Sequence, residues 1–288
     1  MGSIWITLGP IVIINGVLLV YLLIFLYTRE KWPVPDEVKS RHNSRFLNSF
    51  FKEWWYWINT PIARLLIGLR LSPNIITFIG FALACVSAYL FKEGAFGYAG
   101  WTMIFGATFD MFDGKVARMT GQVSRSGAYY DSVMDRFGEG VIMLGLAAYF
   151  GYSWVLYIVV AGLIGSMLVS YTRARGEGVG VVCKKGWMQR PERIAYLGVA
   201  SVFQPMADYF LRNTALAFTP LLVIGALLLI AVLTNITAIY RMVYIMNELD
   251  NEDKNGGVES IPQVLMKLST QEGRLDWFEK MRQRHHLK

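Results

Sequence analysis

The chain has 288 residues, 54% of them hydrophobic, with a mean hydropathy of +0.38 and a formal net charge of +7. That apolar content is too high for an ordinary soluble domain. The positive charge sits in short loops rather than on a basic soluble domain, which argues against a nucleic-acid binder.

Residues 4–26 form a first run long enough to span a bilayer. No basic n-region precedes this run and no A-x-A site follows it, so it reads as a retained anchor rather than a signal peptide. Pro33 and Pro35 then open a polar linker. Residues 44–70 mix aromatic and basic residues at helical spacing, the pattern of an amphipathic helix lying in the membrane interface. Further spans are expected at 74–91, 97–114, 132–152, 153–172, 194–211 and 215–243. Ser72-Pro73 supplies a start signal for the first of these, with Asn74 and Thr77 in its opening turns.

Asp110, Asp113, Asp131 and Asp135 fall among these apolar runs. An ionised group at the centre of a membrane helix costs about 2.5–3.5 kcal/mol on insertion scales, and four crowded carboxylates also repel one another. The spacings of three and four place each pair on one helix face. TGQVSRSG between them reads as a tight turn that folds the two helices together. Neutralisation is expected from a pair of divalent ions; oxygen ligands without cysteine or histidine suit Mg2+ or Mn2+ better than zinc. The alternative is a charge network with Lys115, Arg118, Arg125 and Arg136.

Lys and Arg cluster after the first span, in the aspartate turn and at 173–193, while the alternate loops carry little beyond Lys92 and Arg212. The N-terminus is therefore expected outside, with the aspartate turn and the C-terminus in the cytoplasm. The net positive charge then faces the anionic lipid of that leaflet. After about residue 248 the chain becomes polar, with a linker through Gly256 and Gly257 and an amphipathic stretch at 261–284. His42, His285 and His286 lack partners at ligand spacing. Cys85 and Cys183 lie far apart and read as two inert thiols.

Between Asp110 and Asp135 the chain reads Asp110-x2-Asp113-Gly114-x2-Ala117-Arg118-x8-Gly127-x3-Asp131-x3-Asp135. This resembles the signature of the CDP-alcohol phosphatidyltransferase family at every fixed position. The resemblance implies an all-α polytopic membrane protein, with a six-helix transmembrane core and an amphipathic interfacial helix. Here an additional N-terminal transmembrane helix precedes them. The expected organisation is an anchor at 1–30, the enzyme domain at 31–248 and a cytoplasmic tail at 249–288.

The resemblance further implies transfer of a phosphatidyl group from CDP-diacylglycerol to an alcohol, with release of CMP. Asp110, Asp113, Asp131 and Asp135 would hold Mg2+ or Mn2+, two ions, and Asp135 would also serve as general base. Asn74, Thr77, Asp110, Asp113, Gly114, Ala117, Arg118 and Gly127 would form the CDP site. A guanidinium at Arg118 suits bidentate contact with a diphosphate.

Arg173, Arg193 and Arg241 resemble the acceptor-phosphate positions of members that use inositol phosphate. Two departures are Arg173, where lysine occurs in some of those enzymes, and Gln189, where an acidic residue is common. The expected acceptor is a sugar phosphate, myo-inositol phosphate, ahead of glycerol 3-phosphate and inositol; a CDP-archaeol donor stays open. A homodimer in a cell inner membrane, surrounded by membrane lipid, is also implied. A reading from another class is a cation transporter with an acidic intramembrane site. It gives no reason for Gly114, Ala117 and Arg118 at fixed spacing.

Overall fold

A computed structural model describes residues 2–28, 49–183, 185–215, 217 and 219–256. Eight helices and no strands occur among the described residues. They are α1 (Gly2–Thr28), α2 (Ser49–Gly68), α3 (Pro73–Lys92), α4 (Phe96–Thr120), α5 (Arg125–Tyr149), α6 (Val155–Gly178), α7 (Arg190–Leu211) and α8 (Leu221–Gly256). The expected spans all appear as helices, and the amphipathic segment appears as α2. Where a linker is expected from about residue 248, α8 continues through Asp250 and Asp253 to Gly256, and Gly257 lies outside the described residues. The amphipathic stretch at 261–284, the polar linker at Pro33 and Pro35, and all three histidines lie outside the described residues.

Four helices are long and apolar enough on their own to cross a bilayer: Trp5–Thr28, Pro73–Lys92, Val155–Gly178 and Leu221–Asn251. The other expected spans, α4, α5 and α7, fall short because they carry the acidic and basic residues of the signature and of the following RPER motif. Charged turns lower their average hydropathy without shortening them.

Local sequence sets the helix ends. Ser72 caps α3, its hydroxyl accepting from the Ile75 amide, and Pro73 occupies the first turn where no amide is missed. Gly121 ends α4 in the left-handed region at φ 69°, and Ser124 caps α5 by accepting from the Gly127 amide at 3.0 Å. The connection between the two aspartate helices is therefore only Gly121–Ser124, shorter than TGQVSRSG.

The described chain forms two compact units. The first comprises Met1–Tyr171 and Gly186–Ala238. Within it α3 packs along both α4 and α5, and α4 packs along α7. A core of Phe91, Met103, Leu146, Val159, Leu197 and Ile230 fills the space between the helices. The helices approach at small residues, as is usual where lipid supplies no hydrophobic drive between them. A Cβ at Gly100 would lie 2.8 Å from the Gly198 carbonyl of α7, and one at Gly145 would lie 2.2 Å from the Ala88 carbonyl of α3.

The N-terminal helix is more than a tether. Thr7 donates a buried 2.6 Å hydrogen bond to the Val202 carbonyl of α7, and the Trp101 indole of α4 donates to the Ile6 carbonyl at 3.1 Å. Tyr21 and Phe25 also meet Trp57 of α2, with ring centroids 5.9 and 5.5 Å apart. The opposite face stays uncovered, with Trp5, Val12, Ile13 and Leu23 all exposed.

The second unit comprises Thr172–Lys185 and Ile239–Lys288. Its small core joins Val181, Cys183 and Ile245, flanked by Tyr244 and Leu249. Both cysteines are free thiols, as expected.

The α3–α5 crossing yields a stability prediction. Gly145→Ala should lower the thermal unfolding midpoint in detergent by the equivalent of about 3 kcal/mol or more, because the Ala88 backbone cannot rotate away as a side chain does. Gly140→Ala, on the same helix with nothing within 4 Å of its added Cβ, should leave the midpoint nearly unchanged. Equal midpoints for the two variants would contradict the packing described.

Candidate active site

The last three turns of α4 carry Asp110 and Asp113, and the first three turns of α5 carry Asp131 and Asp135. The two helices do not fold flat against each other. They scarcely touch, and α3 packs against both. The opening left between them is a pocket lined by Thr77, Asp110, Asp135, Glu139, Arg190 and Arg193, among others.

Each carboxylate has a distinct environment. Asp113 is 5% exposed; its Oδ2 accepts from Thr77 Oγ1 at 2.5 Å, and its Oδ1 accepts from the Gly114 amide. Thr77 also donates to the Pro73 carbonyl at 3.1 Å, so the helix start and the carboxylate share one hydroxyl. Asp110 rests against α3 at Gly80, where an added Cβ would come within 3.0 Å of its Oδ1. Asp110 and Asp131 both act electrostatically on Asp113, and both also act on Asp135, so the four charges belong to one cluster.

The cation inside this cluster is Arg190, which sequence reasoning treated only as part of a basic loop. Its Nη2 lies 2.5 Å from Asp110 Oδ2 and 2.9 Å from Asp135 Oδ1. Neither contact has the geometry of a hydrogen bond: both oxygens, and Arg190 Nε, are buried without a hydrogen-bond partner. Arg136 adds a looser contact to Asp135 at 3.4 Å. The charge-network alternative is thus met in small part. Lys115 turns away from the cluster and donates to Thr60 of α2 at 2.9 Å. No three acidic side chains among the described residues gather into one metal-ligating group.

The remaining signature residues lie around the α3 start and the interhelix connection. Asn74 is exposed, and its Oδ1 would lie 3.6 Å from a Cβ at Gly127. A Cβ at Gly114 would meet only the Arg118 Nη1 at 3.3 Å, so no packed neighbour demands glycine there. Ala117 lies on the same helix, one turn beyond Asp113.

Among the three candidate acceptor arginines, Arg193 is 3% exposed and bound by Glu139, its Nε and Nη2 reaching the two carboxylate oxygens at 2.5 and 2.9 Å. Arg173 and Arg241 belong to the second unit, where Arg173 pairs with Glu177 at 2.9 Å and Arg241 donates to the Lys185 carbonyl at 2.8 Å.

Glu139 and Arg190 are the residues that sequence reasoning missed. A signal for Glu139 was present, since it continues the four-residue step of Asp131 and Asp135. Gln189, noted as a departure, caps α7: its side chain and that of Glu192 form a reciprocal capping box.

The Arg193–Glu139 pair is testable by stability. Glu139→Ala should destabilise the protein by about 3–5 kcal/mol, the cost of leaving a buried charge alone. Adding Arg193→Met should recover most of that loss in chemical denaturation. A double variant no more stable than Glu139→Ala would show that the pair is not the source.

Residues 70–224 match the family model described as CDP-alcohol phosphatidyltransferase. The chain is 32% identical over 223 residues to the phosphatidylinositol phosphate synthase of Streptomyces avermitilis, covering 75% of this chain and 89% of that protein. It is 37% identical over 144 residues to the archaetidylinositol phosphate synthase of Pyrococcus horikoshii, covering 49% and 75% respectively. The crystal structure of Mycobacterium tuberculosis phosphatidylinositol phosphate synthase with CDP-DAG bound superposes with a TM-score of 0.57 at 27% identity, covering 65% of this chain and 93% of that one. A structure of the same mycobacterial protein in complex with manganese and citrate gives the same TM-score. The expected fold class and family are therefore borne out: the chain is an integral membrane enzyme belonging to the CDP-alcohol phosphatidyltransferase family.

Proposed function

We propose that this enzyme transfers a phosphatidyl group from CDP-diacylglycerol to myo-inositol phosphate, releasing CMP. The observation that carries the reading is the full signature, folded so that Asp110 and Asp135 line one pocket and all four carboxylates act on one another electrostatically. Relatives named for this reaction support the acceptor. Relatives named archaetidylinositol phosphate synthase share the acceptor and differ in the lipid, so the donor is the less constrained of the two substrates.

The donor set fits divalent ions. Asp110 Oδ2 and Asp135 Oδ1 are buried acceptors with no hydrogen-bond donor, and carboxylate oxygen is the hard ligand such ions take. Asp110, Asp113, Asp131 and Asp135 would hold two ions, Mg2+ or Mn2+, which when bound supply charge compensation for the diphosphate and the leaving CMP. Thr77 holds Asp113 in its rotamer through the 2.5 Å hydrogen bond, leaving the other three carboxylates to adjust.

Asn74, Thr77, Gly114, Ala117, Arg118 and Gly127, with Asp110 and Asp113, form the proposed CDP site. Gly114 and Gly127 leave room beside the signature backbone, and Arg118 supplies a guanidinium for the diphosphate. In the reaction, the acceptor hydroxyl oxygen forms a bond to the lipid-linked phosphorus and the bond from that phosphorus to the bridging oxygen of CMP breaks. Asp135 takes the hydroxyl proton, which its position one turn past Asp131 suits. Arg173, Arg193 and Arg241 are the proposed source of positive charge for the acceptor phosphate.

The distribution of Lys and Arg supports an active site that faces the cytoplasm from a cell inner membrane. A homodimer is the proposed assembly, with domain limits at 1–30, 31–248 and 249–288.

The decisive experiment is CMP release by the full chain in detergent with CDP-diacylglycerol and Mg2+ or Mn2+, against inositol phosphate, inositol, glycerol 3-phosphate and serine. Inositol phosphate alone should stimulate release, and Asp135→Asn should lower it by about a hundredfold or more, as loss of a general base does. Excess EDTA should abolish release, and added Mn2+ or Mg2+ should restore it. Stimulation by a different acceptor would keep the family chemistry and discard the acceptor. A CDP-archaeol arm reports the lipid preference.

A further inference from the structure

We propose that Arg190 is a resident counter-ion: it holds Asp110 and Asp135 while no divalent ion is bound, and yields them when one arrives. The released guanidinium then meets an anionic substrate group in the same pocket. This inference rests on the metal-dependent reading given above and concerns this chain's own residues.

Two arginines one helical turn apart in α7 behave differently. Arg193 is fully committed: Nε and Nη2 meet Glu139, and Nη1 donates to the Met188 carbonyl at 3.4 Å. Its guanidinium is thus fixed by three contacts, two of them to one carboxylate. Arg190 instead places a single nitrogen, Nη2, between two carboxylates at 2.5 and 2.9 Å, with hydrogen-bond geometry to neither. Its Nε is a buried donor with no acceptor at all. Held through one nitrogen rather than through the paired contacts that fix Arg193, this guanidinium has fewer contacts to give up when it moves.

Deprotonation offers no way out, since a guanidinium stays charged in proteins. A divalent ion on Asp110 and Asp135 would sit within a few ångströms of Nη2, where like charges repel strongly in a poorly solvated pocket. Arg190 must therefore move when the carboxylates are taken. The start of α7 is held by the Gln189–Glu192 capping box, so the movement falls to the long side chain. The pocket that Arg190 lines gives it room, and an oxyanion there would satisfy the vacant Nε.

The test is Mn2+ binding to the full-length protein, purified metal-free in detergent, followed by the electron paramagnetic resonance signal of free Mn2+. Thermal unfolding is recorded with and without Mn2+. Arg190→Gln should bind Mn2+ about tenfold tighter or more, the scale on which buried charge pairs act. It should unfold at lower temperature without Mn2+ and show a larger Mn2+-induced rise, as linkage requires. Arg136→Gln removes a positive charge from the same Asp135 at a more exposed contact, and should change affinity by less than about threefold. Arg190→Lys keeps the charge and should fall between wild type and Arg190→Gln.

Unchanged or weaker Mn2+ binding by Arg190→Gln would overturn the proposal, as would equal effects of Arg190→Gln and Arg136→Gln. If Arg190→Gln folds only with Mn2+ present, its release of Mn2+ to a chelator should be slower than that of wild type; equal or faster release overturns the proposal. Wild type that binds no Mn2+ would instead sink the metal reading itself, so the two failures are distinguishable.

Discussion

Mutual repulsion among four carboxylates in a poorly solvated pocket is the constraint on which the rest of the structure depends. Asp113 is buried, and the other three are only partly exposed. Burial of such charges is tolerated where cations or directed donors compensate them. Here the compensation is divided. Thr77 and the Gly114 amide satisfy Asp113, while Arg190 stands between Asp110 and Asp135. The incomplete satisfaction of the second pair marks that side of the cluster as the reactive one.

The packing follows from the need to hold those charges at a fixed separation. α4 and α5 are joined by a very short connection, yet they diverge, because α3 packs along both. Small residues at Gly80, Gly100 and Gly145 let the backbones come close without side chains intervening. Rigidity of this kind suits a site in which charge placement matters more than shape. The polar helices α4, α5 and α7 fail as isolated spans for the same reason that they succeed as an active site.

Much of this was legible in the sequence. Apolar runs marked every helix, Ser72-Pro73 marked the start of α3, and the signature spacing put the carboxylates on facing surfaces. What escaped was partner choice. Lys115, Arg118, Arg125 and Arg136 were the cations nearest in sequence, but the cluster takes its main counter-ion from Arg190, far along the chain and delivered by the α4–α7 contact. Arg193 looked like a ligand-binding cation because its partner, Glu139, was hidden among the small and apolar residues of α5. Helix periodicity tells which residues share a face, not which faces meet. The turn showed that α4 and α5 fold back on one another, but nothing in it announces that α3 packs against both.

The N-terminal helix carries a consequence for biogenesis. Thr7 and Val202, joined by a buried hydrogen bond, are separated by 195 positions in the chain. α1 leaves the ribosome well before α7, one of the surfaces it docks on. In the interval α1 must persist without that partner, and its side chains suit the wait: they are apolar almost all round, and many remain uncovered even after docking. The Thr7 hydroxyl can reach the Val202 carbonyl only once α7 has been made. The bond thus joins a segment made early to one made 195 positions later.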